Sequence, residues 1–342
     1  MTSTQGCTSP DINRRRKRVF GFLLLDQYPL LPVSGMIDIL RDAEYVTGRR
    51  NFEWFTISAD GAEVAAMNHL RIRADYSIEN TPACDVVVVC AGLGGHLIDD
   101  DRVFRWLRKQ YSDNVVVGSI ATGTWVLAKA GLLHDHKCTV HWEDIPAFEE
   151  TYPRIDVARM LYVRDRQIFT CTGGTAAIDL FLQFVTESLG AEVSSDVARQ
   201  IIHQSVRVGS DLLPIKDSPY LNIPNRALHD ATVMMHDNLE NPVPISDIAK
   251  RVGVSQKHLE RLFRSFFRST PQLHYRTIRL DHARALVRLT KFEIWQIAII
   301  AGFSSAQYFS RCYRSKFSIT PTEERRMLVQ YAIPGQAAAR LT

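Results

Sequence analysis

The chain has 342 residues, 46% of them hydrophobic and 23% charged, enough for two domains with sizeable cores. Its apolar runs fall short of the ~18 residues a membrane span needs, and the stretch up to Arg18 lacks the apolar core of a secretory signal, so no membrane association and a cytoplasmic location are expected. The net charge of +4 is split: from Leu228 onward 17 lysines and arginines face 9 acidic residues, whereas the part before it holds 24 against 28.

A basic half behind a mildly acidic one points to a separate module for a polyanion. In chain order, residues 1–17 with the run Arg14–Arg18 read as a disordered, solvated basic tail. Residues 18–190 then alternate β-branched runs with helical patterns. "RVFGFLLLD", "FEWFTIS", "DVVVVCAG", "NVVVGSI" and "RQIFTCTGG" read as strands buried on both faces. Between them "VSGMIDILRDAEYVTG", "DDDRVFRWLRKQYS" and "GTAAIDLFLQFVTESLG" have helical periodicity. This alternation predicts an α/β fold, a flavodoxin-like and mostly parallel sheet with helices on both faces. Ligands of such sheets bind at the carboxyl ends of the strands, and "LLLDQYP", "CAGLGG", "SIATG" and "TCTGGT" offer small and polar residues there.

The stretch "SIATGTWVLAKAGLL" turns sharply from strand to helix at Ala121. In many α/β enzymes such a turn lifts a nucleophile into a site. A methyl group neither ionises nor attacks, so no catalytic residue is assigned at this position. The helix start at Thr122-Gly123-Thr124 leaves backbone N–H groups that suit a carboxylate. The six cysteines, Cys7, Cys84, Cys90, Cys138, Cys171 and Cys312, show no CxxC and no metal-ligand spacing. Reduced thiols are expected, with no metal and no cofactor. Cys90 and Cys171 end other strands, but neither precedes a helix start in the geometry of a nucleophile.

Residues 191–226 read as a connector, a helix over "SSDVARQIIHQSVRVGS" followed by the proline-bearing loop "DLLPIKDSPYLNIPNR". Residues 227–330 are helical throughout and contain an internal repeat, and 331–342 are a tail. "ISDIAKRVGVSQKHLERLFRSFFRSTP" and "IWQIAIIAGFSSAQYFSRCYRSKFSITP" share Ile-Ala followed by Gly (Ile248, Ala249, Gly253; Ile297, Ala298, Gly302). They also share Leu259, Arg261, Phe263, Arg264 and Pro271 against Phe309, Arg311, Tyr313, Arg314 and Pro321. The alanine lets two helices cross closely, the glycine takes a left-handed turn, and Ser255 or Ser305 caps the second helix. Each copy is a helix-turn-helix whose second helix enters the major groove of double-stranded DNA. Lys257, Arg261, Gln307 and Arg311 are expected at base edges, with Gln256, His258 and Tyr308 on the same exposed faces. Arg264, Arg314 and Lys316 are expected at phosphates.

The repeat resembles the AraC/XylS family of transcription regulators over about residues 228–330. "LHYRTIRLDHARALV" is similar to their linker helix, and "GFSSAQYFSRCYRSKFSITPTEER" to their signature segment. Arg268 and Ser318 depart from the family by replacing a common glycine, and Cys312 replaces a larger core residue. Residues 18–190 resemble the class I glutamine-amidotransferase-like fold in its DJ-1/PfpI branch. The stretches that carry this are "SIATGTWVLAKAGLL", "CTVHWEDIPAF" and "IFTCTGGTAAIDLFLQFVTESLG". The version fused ahead of AraC-type domains is the nearest likeness.

Catalytic members place a cysteine at the position of Ala121, so the resemblance implies a sensor rather than an enzyme. Its effector would be a small metabolite, an amino acid or a quaternary-amine zwitterion. The candidate effector residues are Asp26, Gly94, Gly95, Ala121, Thr122, His141, Trp142, Glu143, Thr172 and Gly173. Trp142 would face the ammonium group through its ring. RNA polymerase and a second copy of the chain are the implied protein partners, and activation is the expected mode. The alternatives are a DJ-1/PfpI-like hydrolase or glyoxalase with a fused DNA-binding domain, and a dimerisation scaffold without ligand.

Overall fold

The computed structural model describes residues 17–211, 223 and 225–332. The basic tail before Lys17, most of the proline-bearing loop and the tail beyond Ala332 lie outside the described residues. Strand β1 (Arg18–Leu24), helix α1 (Leu30–Thr47) and strand β2 (Phe52–Ser58) come first. Strands β3 (Glu63–Ala65) and β4 (Arg71–Arg73) pair as a small antiparallel ribbon, and β5 (Tyr76–Ser77) adds an edge to the main sheet. There follow β6 (Val86–Ala91), α2 (Asp101–Ser112), β7 (Val116–Ala121), α3 (Gly123–Lys129), β8 (Lys137–Cys138), α4 (Ile145–Thr151), β9 (Asp156–Val157), β10 (Tyr162–Asp165), β11 (Ile168–Cys171) and α5 (Ala176–Leu189).

The main sheet has seven strands in the order β10-β11-β7-β6-β1-β2-β5, and only the β10–β11 pair is antiparallel. Strand β6, "VVVVCA", is buried along its whole length. Central strands of a covered parallel sheet read as unbroken apolar runs for this reason. The register sets Leu24 beside Cys90, Cys90 beside Ile120 and Ile120 beside Cys171. The carboxyl ends of four strands therefore emerge in a row, with the turn after β7 next to the loop after β6.

Helix α6 (Ala191–Gln200) packs on α1 and α5. The predicted helix over residues 194–210 thus ends early. Ile202 has a left-handed φ of 57°, and the chain then folds back onto α5. Arg207 donates to Asp179 Oδ2 from Nε at 2.9 Å and from Nη2 at 2.6 Å, and its backbone N–H reaches Oδ1 at 3.0 Å. His203 Nε2 stands 2.8 Å from the same Oδ1. Asp179 is fully buried, and a buried carboxylate is tolerated only with such partners.

The remaining helices are α7 (Arg226–His236), α8 (Ile245–Arg251), α9 (Gln256–Phe267), α10 (Pro271–Leu289), α11 (Ile294–Ile300), α12 (Ala306–Phe317) and α13 (Pro321–Ala332). Ser255 accepts from the His258 N–H and Ser305 from the Tyr308 N–H, each at 3.2 Å, as the repeat predicts. Gly253 and Gly302 both take left-handed φ, 75° and 69°. Ala249 and Ala298 are buried at the helix crossings, and Leu259, Phe263, Phe309 and Tyr313 are fully buried beneath the second helices. The first helix-turn-helix gathers its own apolar cluster with α7 and the start of α10, from Leu228 to Ile278. The cluster around the second is continuous with that of the α/β half, where α10 packs against α4. Among the described residues no helix is long and apolar enough to cross a membrane.

Candidate functional site

Ala121 stands at the apex of the β7–α3 turn with φ 52°. That left-handed value is uncommon for any residue with a Cβ. The turn is held from two sides. Gly173, at φ 92°, closes on it so tightly that an added Cβ would come 2.9 Å from Ala121 Cβ. Gly95 leaves room for Thr122, since a Cβ there would meet Thr122 Oγ1 at 2.1 Å. The Thr122 hydroxyl in turn donates to the Gly92 carbonyl. The strained turn of a nucleophile elbow is therefore intact, and its apex carries a methyl group.

The neighbouring polar groups are structural. Ser119 Oγ lies 3.0 Å from Thr124 Oγ1, and Thr124 donates to the Thr139 carbonyl at 3.0 Å. Cys90 and Cys171 are fully buried. Burial pushes the Cys171 thiol up to about 12 and raises that of Cys90 further, so neither is a thiolate at neutral pH. No substitute nucleophile stands among them.

Above the elbow opens a cleft of about 1320 Å³. Of the sequence-predicted effector residues, Gly94, Ala121, Thr122, His141, Trp142, Glu143 and Thr172 line it. Trp142 is exposed to it, 40% accessible, rather than packed in the core. His141 has its ring 5.7 Å from that of Trp142, and burial lowers its pKa, with Glu143 acting the other way. Gly95 and Gly173 shape the elbow from behind, while Asp26 is exposed beyond β1; none of the three lines the cleft. Thr172 is nearly buried, and its hydroxyl donates to Leu161 O at 3.0 Å.

The carboxylate site expected at the helix start takes a different form. Helix α3 has only seven residues, and the Thr122 N–H is directed at the Ala91 carbonyl, 3.3 Å away. Two polar residues of the cleft escaped sequence reasoning. Asp144 is buried, accepts the Trp125 indole N–H at 2.8 Å, and is pushed by burial up to about 7. His96 is lowered by burial, then by Lys129, to about 4, and its Nδ1 is buried without a hydrogen-bond partner. The opposite wall is formed by the helical half, with Thr232, His236, Asp281, His282, Arg284 and Arg288. Nothing in the linear sequence signals that wall, because only the docking of α10 on α4 creates it.

On the helical half, Gln256, Lys257, Arg261 and Arg264 are exposed on α9, and Gln307, Arg311 and Arg314 on α12. His258 and Tyr308 are half-buried beside them. Arg261 Nη2 lies 2.9 Å from His258 Nδ1, and the Arg311 guanidinium sits over the Tyr308 ring at 5.5 Å. Those pairs hold two arginines in matching places on the two reading helices. Lys316 is engaged within the protein: its ammonium donates to Thr277 O at 2.9 Å and pairs with Asp281 at 2.5 Å, which ties α12 to α10.

The DJ-1/PfpI family model matches residues 18–187, and a helix-turn-helix domain model matches residues 248–327. The HTH-type transcriptional regulator GbdR of Pseudomonas aeruginosa is 36% identical over 319 residues, which cover 93% of this chain and 86% of that protein. The HTH-type transcriptional regulator CdhR of the same species is 34% identical over 309 residues, 90% of this chain and 92% of that one. A crystal structure of an AraC family transcriptional regulator from Pseudomonas putida superposes with a TM-score of 0.50 at 23% identity. It covers 54% of this chain and 99% of that chain, and shares the fold.

Proposed function

The chain belongs to the AraC-type transcription regulators that carry a DJ-1/PfpI domain ahead of their helix-turn-helix domain, and from that premise we propose that its DJ-1/PfpI domain is a catalytically silent sensor of a small zwitterionic metabolite. The observation that carries the reading is Ala121, a methyl group at the strained apex of an otherwise complete elbow, with an open cleft above it. Trp142 and Glu143 face that cleft, and an aromatic ring beside a carboxylate suits an ammonium or quaternary amine. The exposed residues of α9 and α12 would read DNA, with Lys257, Arg261, Gln307 and Arg311 at base edges and Arg264 and Arg314 at phosphates.

The test is calorimetry on the full-length protein with arginine, betaine and carnitine, followed by footprinting on DNA with and without the binder. Absence of binding by every carboxylate-bearing amine would sink the sensor reading. The competing reading, a hydrolase or glyoxalase, requires turnover of an ester, an amide or a 2-oxoaldehyde by the unmodified protein. The expected result is no turnover above that of buffer.

A further inference from the structure

We propose that the effector is held between the two halves of the molecule, its ammonium end against Trp142 and Glu143 and its carboxylate against Arg288 and His282 of α10. This rests on the sensor reading above and adds where the ligand's second pole goes and how its presence reaches the DNA-reading helices.

Charge placement comes first. The α/β half lends the cleft Arg159 as a cation, and that side chain is paired with Glu149 at 3.1 Å. With the Thr122 N–H directed at Ala91 O, this half offers an ammonium group better partners than it offers a carboxylate. The facing wall differs. Arg284 is engaged by Glu324 at 2.8 Å, but the Arg288 Nε stands 3.8 Å from the same carboxylate, beyond hydrogen-bond length. The Arg288 guanidinium thus lines the cleft with donors to offer.

His282 supplies an independent observation. Its side chain is 13% exposed, and Nε2 is buried without a hydrogen-bond partner, the nearest carboxylate oxygen being Glu150 Oε1 at 3.9 Å. Unpartnered buried ring nitrogens are costly. His282 belongs to the cleft wall, and the proposed site gives this nitrogen the ligand's carboxylate as its partner. Around it stand Glu150 at 3.9 Å, Asp281, which pairs with Lys316, and His236, whose charge disfavours protonation of His282.

Geometry links the site to DNA reading. Small-molecule sites commonly measure about 300–1000 Å³, and this cleft is larger. A zwitterion engaging both walls would favour one setting of α10 against the α/β half. Helix α10 joins the two helix-turn-helix units. Its Asp281, on the cleft wall, pairs with Lys316 of the second reading helix, and its Arg279 donates to the Gly302 carbonyl at 2.8 Å. A shift of α10 thus changes the spacing of α9 and α12 on the duplex.

The experiment uses full-length protein and the panel of arginine, betaine and carnitine by calorimetry, on wild type, Trp142→Ala, Arg288→Ala and His282→Gln, with each bound probe repeated as its methyl ester. Thermal unfolding of every variant checks the fold, and Arg288→Gln replaces Arg288→Ala if the latter unfolds. The expected result is at least a tenfold loss of affinity from Trp142→Ala and from Arg288→Ala. The ester, lacking the anion, should bind weakly to wild type and lose little more in Arg288→Ala, because the same interaction is already gone. Loss in Trp142→Ala with Arg288→Ala and His282→Gln unaffected would overturn the shared site and leave the sensor reading standing. Equal losses for acid and ester in Arg288→Ala would also overturn it, since they mark a purely structural role. No binding by any probe to wild type would instead refute the sensor reading, and the shared site with it.

Discussion

Trp125 donates its indole N–H to Asp144 at 2.8 Å; both side chains are buried, and Asp144 lines the cleft. The hydrogen bond favours the carboxylate, but burial outweighs it and pushes Asp144 from 3.8 up to about 7; Glu143 adds to the rise and Arg288 opposes it. A raised acid stabilises the fold most below its unfolded value, and that contribution is lost as pH climbs toward 7. His96 and His282 act in the opposite sense. Both are lowered from 6.5 to about 4, so their contribution is complete above 6.5 and is lost as pH falls toward 4. The two effects oppose each other between about pH 4 and 6.5, and Asp144 dominates above. Asp144→Asn should therefore unfold at a higher temperature than wild type at pH 8, with the difference shrinking by pH 5. Thermal melts across that range check it, and a constant difference would refute the assignment.

Arg268 and Ser318 end the two reading helices with φ of 52° and 62°, both left-handed. A residue with a Cβ costs roughly 1–2 kcal/mol there, offset by the 0.5–1 kcal/mol that glycine's extra freedom costs on folding. Ser318→Gly should stabilise the helical half by about 0.5–1 kcal/mol in denaturant titration. Arg268→Gly should do the same.

Gly253 and Gly302 hold equivalent places in the repeat but different surroundings. A Cβ at Gly253 meets nothing within 4 Å, whereas at Gly302 it would stand 2.3 Å from the Leu239 carbonyl oxygen. Gly253→Ala should cost only the backbone strain, about 1 kcal/mol. Gly302→Ala adds a clash with backbone that cannot rotate away, and should cost at least twice as much. Equal losses in chemical denaturation would show that Leu239 yields.

The strands of the central sheet were legible because a covered parallel strand needs an unbroken apolar run, as in "DVVVVCAG". Strand β10 was not, because Arg164 and Asp165 break its apolar pattern at the sheet edge; Arg164 lies over the Phe184 ring at 4.6 Å. The helix predicted across residues 194–210 failed for a tertiary reason. Its second half answers the buried charge of Asp179, more than twenty positions away in sequence. The elbow could be placed from local pattern, and His141 to Glu143 from the family resemblance of "CTVHWEDIPAF". Arg288 and His282 could not, since on α10 they read as one more solvated face until α4 packs against it.

The same lesson separates the basic residues of the reading helices. Arg261 is exposed in the first turns of α9, Arg264 is exposed one turn further on, and Lys316 is bound to Thr277 and Asp281. Removal of Arg261 should cost ~1–3 kcal/mol on the cognate sequence and relax preference at one base pair. Removal of Arg264 should weaken binding about equally on all sequences and reduce the salt slope by about one. Lys316→Ala should leave the salt slope unchanged while lowering the unfolding temperature, because its ammonium serves the α10–α12 contact. Binding isotherms on cognate and scrambled duplexes at several salt concentrations distinguish the three. A reduced slope for Lys316→Ala at unchanged stability would return it to the phosphate contacts.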